Sequence, residues 1–174
     1  RVFVRDRNLV VTGRSGDTRV LREFADSLKV KSDRTLIVIN NPSGDLRLQG
    51  WDESHVLVQS EMAVFADKSD KAGRIADKIR LVVEPRGDEI FIGYEIPALA
   101  DPKVNIRNNT FLVKVPESNP TRVTSSFGEV VVSGLNGNLT MDLHHAPLSV
   151  SDVTGDLSVN ANMGAVEASE ISGA

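Results

Sequence analysis

The chain has 174 residues, 25% of them charged and 40% hydrophobic, with a formal net charge of −4 and a pI near 5.4. This is globular composition rather than disorder, and with no basic excess and only eight scattered aromatics (six Phe, one Trp, one Tyr) it argues against nucleic acid as a partner. The absence of cysteine removes disulfides, thiolate metal sites and a cysteine nucleophile while leaving the compartment open, and no apolar run approaches the roughly 20 residues that cross a bilayer.

The chain opens at Arg1 without an initiator Met or a signal peptide, and is read as a fragment of a longer protein. Residues 8–24, NLVVTGRSGDTRVLREF, are expected to hold an upstream pair of coil strands with a blurred period. DSLKV at 26–30 and TLIVI at 35–39 are strand-like. Gly44 then starts a small-acid-apolar-x-apolar phrase in which Leu46 and Leu48 face inward and Trp51 covers a corner. HVLV at 55–58 reads as the next strand.

Between 61 and 123 the register is lost. Ala72, Ile75, Ala76 and Ile79 recur at helical spacing, so a short helix is predicted over 69–79, weakened by Gly73. DEIFIGYEI and NTFLVKVP alternate as strands, and Pro97, Pro102, Pro116 and Pro120 punctuate the links.

From Gly128 a small residue returns every nine positions: Gly137, Ala146, Gly155, Gly164 and Gly173. Two places after each start lie Val130, Leu139, Leu148, Leu157 and Val166; four places after lie Val132, Met141, Val150, Val159 and Ala168. This is the period-2 signature of short strands with one buried face. Two corner types alternate, since Leu135, Val153 and Ile171 take turns with His144 and Asn162, and Phe127, His145 and Met163 take turns with Asn136, Thr154 and Ser172. A full coil therefore takes about 18 residues, with like stacked over like in two facing parallel sheets, which is the pattern of a β-solenoid. Glycine is expected at the corners because it reaches positive φ without a Cβ clash. The whole of 1–174 is read as a single all-β domain: first coils at 26–60, an irregular middle at 61–123, and regular coils at 124–174 that stop where another unit would begin.

LIVINNPSGDLRLQGWDESHVLVQS, then LVKVPESNPTRVTSSFGEVVVSGLNGNL, then the repeating GDLSV and SGLNG units resemble a bacterial adhesin-like family of β-strand repeats of unknown function, DUF4097. The likeness covers about residues 26–174 and is weakest between 61 and 103. It implies a right-handed parallel β-helix, exported or attached to the cell envelope, with no agreed catalytic residues to carry over. The charged stretch 61–80 is longer than that family's usual link.

Each candidate for chemistry has a plainer reading. His144 and His145, with Asp142 upstream, are adjacent on a strand and point to opposite faces, so they do not readily share one ion. His55 stands in a separate strand. The turns around Asn138 and Asp156 resemble a calcium-binding nonapeptide roll but lack its paired glycines and regular Asp column. A glycan-cleaving β-helix needs clustered carboxylates, whereas the outward residues run Glu129, Val131, Asn138, Thr140, Pro147, Ser149, Asp156, Ser158, Ala165 and Glu167, with Glu129 and Glu167 placed on one half about 10 Å apart. Lys68, Lys71, Arg74, Lys78 and Arg80 interleave with Asp67, Asp70 and Asp77 as a solvated helix face. The expectation is thus a non-catalytic envelope or secreted β-solenoid, not an enzyme, with no catalytic, cofactor or metal residue. Its partner would be a protein or glycan at the cell surface. The alternatives are a bactofilin-like scaffold polymerising through its ends and a carbohydrate-active enzyme.

Overall fold

The computed structural model describes residues 3–5, 11–12 and 18–173, with side chains from 18 onward. The chain is mostly β. Its strands are β1 (Phe3–Arg5), β2 (Val11–Thr12), β3 (Thr18–Lys29), β4 (Leu36–Asn41), β5 (Leu46–Trp51) and β6 (His55–Ala66). One helix, α1 (Ser69–Ala76), is followed by β7 (Arg80–Arg86), β8 (Glu89–Glu95), β9 (Asn105–Pro116) and β10 (Thr121–Ser126). The six-residue strands β11 (Val130–Leu135), β12 (Leu139–His144), β13 (Leu148–Val153), β14 (Leu157–Asn162) and β15 (Val166–Ile171) complete it. They form two mixed sheets, one in the order β1-β3-β6-β9-β5-β11-β13-β15 with β2 against β3, the other β14-β12-β10-β4-β8-β7.

In the C-terminal third each strand lies parallel to the one eighteen residues on. Leu139 pairs with Leu157 and Met141 with Val159 in one sheet; Val130 pairs with Leu148 and Val132 with Val150 in the other. The pairing continues through the corners, where Leu139 N donates to Asp156 O (2.8 Å) and Thr154 N to Leu135 O (2.9 Å). Apolar columns from both sheets meet between them. Leu139, Met141, Leu143, Leu148, Val150 and Val153 join the same core as Ile37, Leu48, Val113 and, from α1, Ala72 and Ala76.

The repeated glycines are explained by space rather than by backbone conformation. A Cβ on Gly155 would sit 2.4 Å from Gly137 O, and one on Gly137 2.5 Å from Asn119 O, so a side chain at either position would force the tiers apart. The left-handed residues lie elsewhere, in two columns of their own. Phe127, His145 and Met163 have φ of 53°, 51° and 59°, and Gly134, Asp152 and Glu170 have φ of 72°, 53° and 54°. A non-glycine residue held there costs about 1–2 kcal/mol. Tier-to-tier bonds such as His145 N to Asn162 O (2.8 Å) hold it in place.

Upstream, the chain departs from the regular coils. Residues 18–24 are no coil pair: β3 runs twelve residues antiparallel to β6, and the rest of 8–24 lies largely outside the described residues. HVLV is the start of the next strand, β6, which lies beyond β9 from β5, with β9 parallel to β5 and antiparallel to β6. Parallel pairing resumes by 89, where β8 joins β4 before β9 joins β5, but without the eighteen-residue offset. Helix α1 ends at Ala76, short of 79, with Ile79 buried beyond it.

Leu157, the expected core residue of the last unit, is only half-buried, and Val166 and Ile171 are 48% and 37% exposed, because β14 and β15 are edge strands. Leu139→Ala should therefore cost about 2–5 kcal/mol in urea unfolding, and Leu157→Ala clearly less; equal losses would contradict this burial gradient. Gly155→Val should lower stability by about 1–3 kcal/mol through overpacking against Gly137, read as a fall in the thermal midpoint.

Candidate functional site

The sequence candidates are dispersed. His144 is exposed, its Nε2 3.6 Å from Asp142 Oδ1, while His145 turns out at its corner and stacks on Phe127 with ring centroids 5.2 Å apart and planes 6° from parallel. Phe127 and Met163 are 62% and 70% exposed, so this column is an outward ridge. His55 belongs to another corner, where its ring meets Trp51 and its carbonyl accepts from Trp51 Nε1 at 2.9 Å; Trp51 does occupy a corner, half-buried. At the turn suggestive of calcium, Asn138 Oδ1 already accepts from Asp156 N at 3.1 Å. Among the described residues no three His, Cys, Asp or Glu gather at metal-binding distance. Glu167 stands over Ser149 and Val131, not in the column of Glu129, so those two carboxylates do not share a line.

The charged stretch around α1 is more than a solvated face. Asp77 takes a 2.5 Å hydrogen bond from the buried Arg22 of β3, and Lys71 pairs with Asp67 at 3.5 Å and with Asp101 across the following loop. The Lys71 hydrogen bond holds the Asp101 carboxyl below its ordinary value, and the same bond raises the Lys71 ammonium. These contacts tether the helix that closes one end of the core.

One concavity among the described residues is not advertised by the sequence. Five neighbouring strands, β3, β6, β9, β5 and β11, form the floor of an open trough of about 1000 Å³ on the outer face of their sheet. The register slips between Glu61 and Met62 where β6 meets β9, and such an irregularity bends a sheet. Alternation sends every second side chain outward, so each strand contributes one or two: Glu23 and Ala25, Gln59 and Glu61, Thr110 and Leu112, Asp45 and Arg47, Glu129 and Val131. Two of these are already occupied. Asp45 Oδ1 accepts from Glu129 N (2.9 Å), and Glu61 Oε1 accepts from Asn109 Nδ2 (2.8 Å). The side chains of Glu23, Arg47, Gln59, Thr110 and Glu129 have no partner among the described residues.

Behind the floor, Tyr94 packs between Phe24 and Phe111, with centroids at 6.1 and 5.3 Å. Burial pushes its phenol well above the ordinary value, tempered by the nearby Ser60 hydroxyl. The sequence marks Glu129 and Val131 as outward residues but not the trough, since its parts run from Glu23 to Val131 along the chain.

No family profile matches the chain, and no curated protein matches it. Among solved structures it is similar to a candidate cell-adhesion protein of Clostridium sporogenes, at 13% identity and a TM-score of 0.45, over 86% of this chain and 99% of that one. It is also similar to a candidate adhesin of Parabacteroides merdae (11%, TM-score 0.46) and a candidate lipid-binding protein of Parabacteroides distasonis (14%, TM-score 0.38). Each of these two likenesses covers 87% of this chain, which spans only 57% and 59% of those proteins. No helix among the described residues is long and apolar enough to cross a membrane.

The Asp101 shift has a defined consequence. A carboxylate with a depressed folded pKa adds stability above its unfolded value, near 3.9, and loses it as pH falls through the folded value. Asp101→Asn should lower the thermal midpoint at pH 7, and the gap from the parent should close as pH drops below that depressed pKa. A gap that stays constant as acid protonates the carboxylate would remove the ion pair as its cause.

Proposed function

We propose that the chain is a two-sided parallel β-helix from a bacterial cell surface or envelope, acting as a non-catalytic, adhesin-like binding scaffold of the DUF4097 type. The single observation behind this is the trough. A five-strand floor holds hydrogen-bonding side chains outward that have no partner among the described residues, which is how a binding face is built on a sheet. The eighteen-residue pairing in both sheets supports the β-helix reading, and the ordered repeat phrases support the adhesin-like one. The extracytoplasmic location follows from that resemblance.

The test is adherence. Labelled protein should bind saturably to bacterial or mucin-coated surfaces, be displaced by excess unlabelled protein, and lose binding when Thr110→Trp fills the trough. No saturable adherence to any such surface would overturn the reading. Hydrolysis of polysaccharide that Glu129→Gln abolishes would replace it with the carbohydrate-active one. Filaments in sedimentation that survive Thr110→Trp would favour the self-polymerising one.

A further inference from the structure

The geometry points to a neutral oligosaccharide as the occupant of the trough on the outer face of β3, β6, β9, β5 and β11, an inference that rests on the adhesin-like reading and names its ligand. Five adjacent strands at about 4.8 Å give a floor roughly 19 Å across, the length of about four sugar rings laid end to end. The cavity of about 1000 Å³ is at the upper end of ligand pockets.

The free groups are of mixed type. Glu23 and Glu129 accept hydrogen bonds, Arg47 donates, and Gln59 and Thr110 do both. Sugar hydroxyls, each a donor and an acceptor, are matched by such a set, and one row across the floor runs Ala25, Gln59, Leu112, Arg47, Val131, so apolar side chains that can meet the C–H faces of the rings alternate with hydrogen-bonding ones.

Other ligand classes fit less well. With Asp45 and Glu61 added, four carboxylates face one guanidinium from within the lining, which repels nucleic acid and anionic glycans. A lipid tail would need a continuous apolar wall, and here Gln59 and Arg47 interrupt the apolar residues. A peptide adding as a strand needs a free sheet edge, whereas the backbone of the trough's strands β6, β9 and β5 is paired on both sides.

The experiment is titration calorimetry of the whole chain with maltotetraose, cellotetraose and N-acetylchitotetraose, and with tetragalacturonate as the anionic comparison. At least one neutral tetrasaccharide should bind with a Kd below about 1 mM, weakened about tenfold by Arg47→Ala or Glu129→Ala. Both side chains are exposed, so the variants should keep the parent thermal midpoint. The inference is overturned if no neutral probe binds, if binding ignores both substitutions, or if tetragalacturonate binds best. Surface adherence that persists while all three neutral probes fail would sink the sugar assignment alone and leave the scaffold reading standing.

Discussion

What the rest of the structure depends on is the parallel backbone ladder that sets each residue of the C-terminal third over the one eighteen positions away. Once that offset is fixed, side-chain identity has to repeat with it, because every column is a vertical stack. Val132 meets Val150, Leu139 meets Leu157, and Asn136 Oδ1 bonds Thr154 Oγ1 at 2.9 Å. Polar columns behave like apolar ones here: Asp142 accepts from Asn160 at 3.2 Å on the outer face while Met141 sits over Val159 on the inner one. The ladder supplies hydrogen bonds for the backbone, and the inner columns supply the burial that makes the arrangement stable.

The same offset accounts for the glycines and the left-handed residues together. Where the corner of one tier presses its carbonyl toward the next, a Cβ has no room, and Gly137 and Gly155 stand there. In the other corner column Gly128 and Gly164 face the same limit, and the residue just before each turns through positive φ and throws its side chain outward, where size is no obstacle. Phe127 and Met163 can therefore be large while their neighbours Gly128 and Gly164 have no side chain at all. This is why Phe127 and Met163 each stand directly before a glycine.

Much of this was legible in the amino-acid pattern from 124 onward, because stacked columns force a short, strict period. The period said where small residues belong but not why, and the positive-φ explanation attached to Gly137 and Gly155 belongs instead to His145 and Asp152. The middle was harder to read for a topological reason. β8 and β9 rejoin the sheets only after an antiparallel excursion through β6, α1 and β7, so no fixed offset connects Ile37 with Ile90 or Leu48 with Val113. The trough was invisible for a related reason: Glu23, Arg47, Gln59, Thr110 and Glu129 meet through strand order, and no periodicity in a linear chain encodes it.

The placement of β4 and β5 has a consequence for how the molecule assembles. They come early in the chain yet lie in the interior, with β8 and β9 on one side and β10 and β11 on the other. Synthesis in order cannot simply spool such a molecule from end to end. The segment 36–51 must wait for partners up to about eighty residues downstream, and closing loops of that length delays its docking. Beyond Thr121 each new pair of strands lands on a finished edge, so growth there is local and needs no such wait. One chain thus combines a slow, topologically demanding nucleus with a tail that zips onto it.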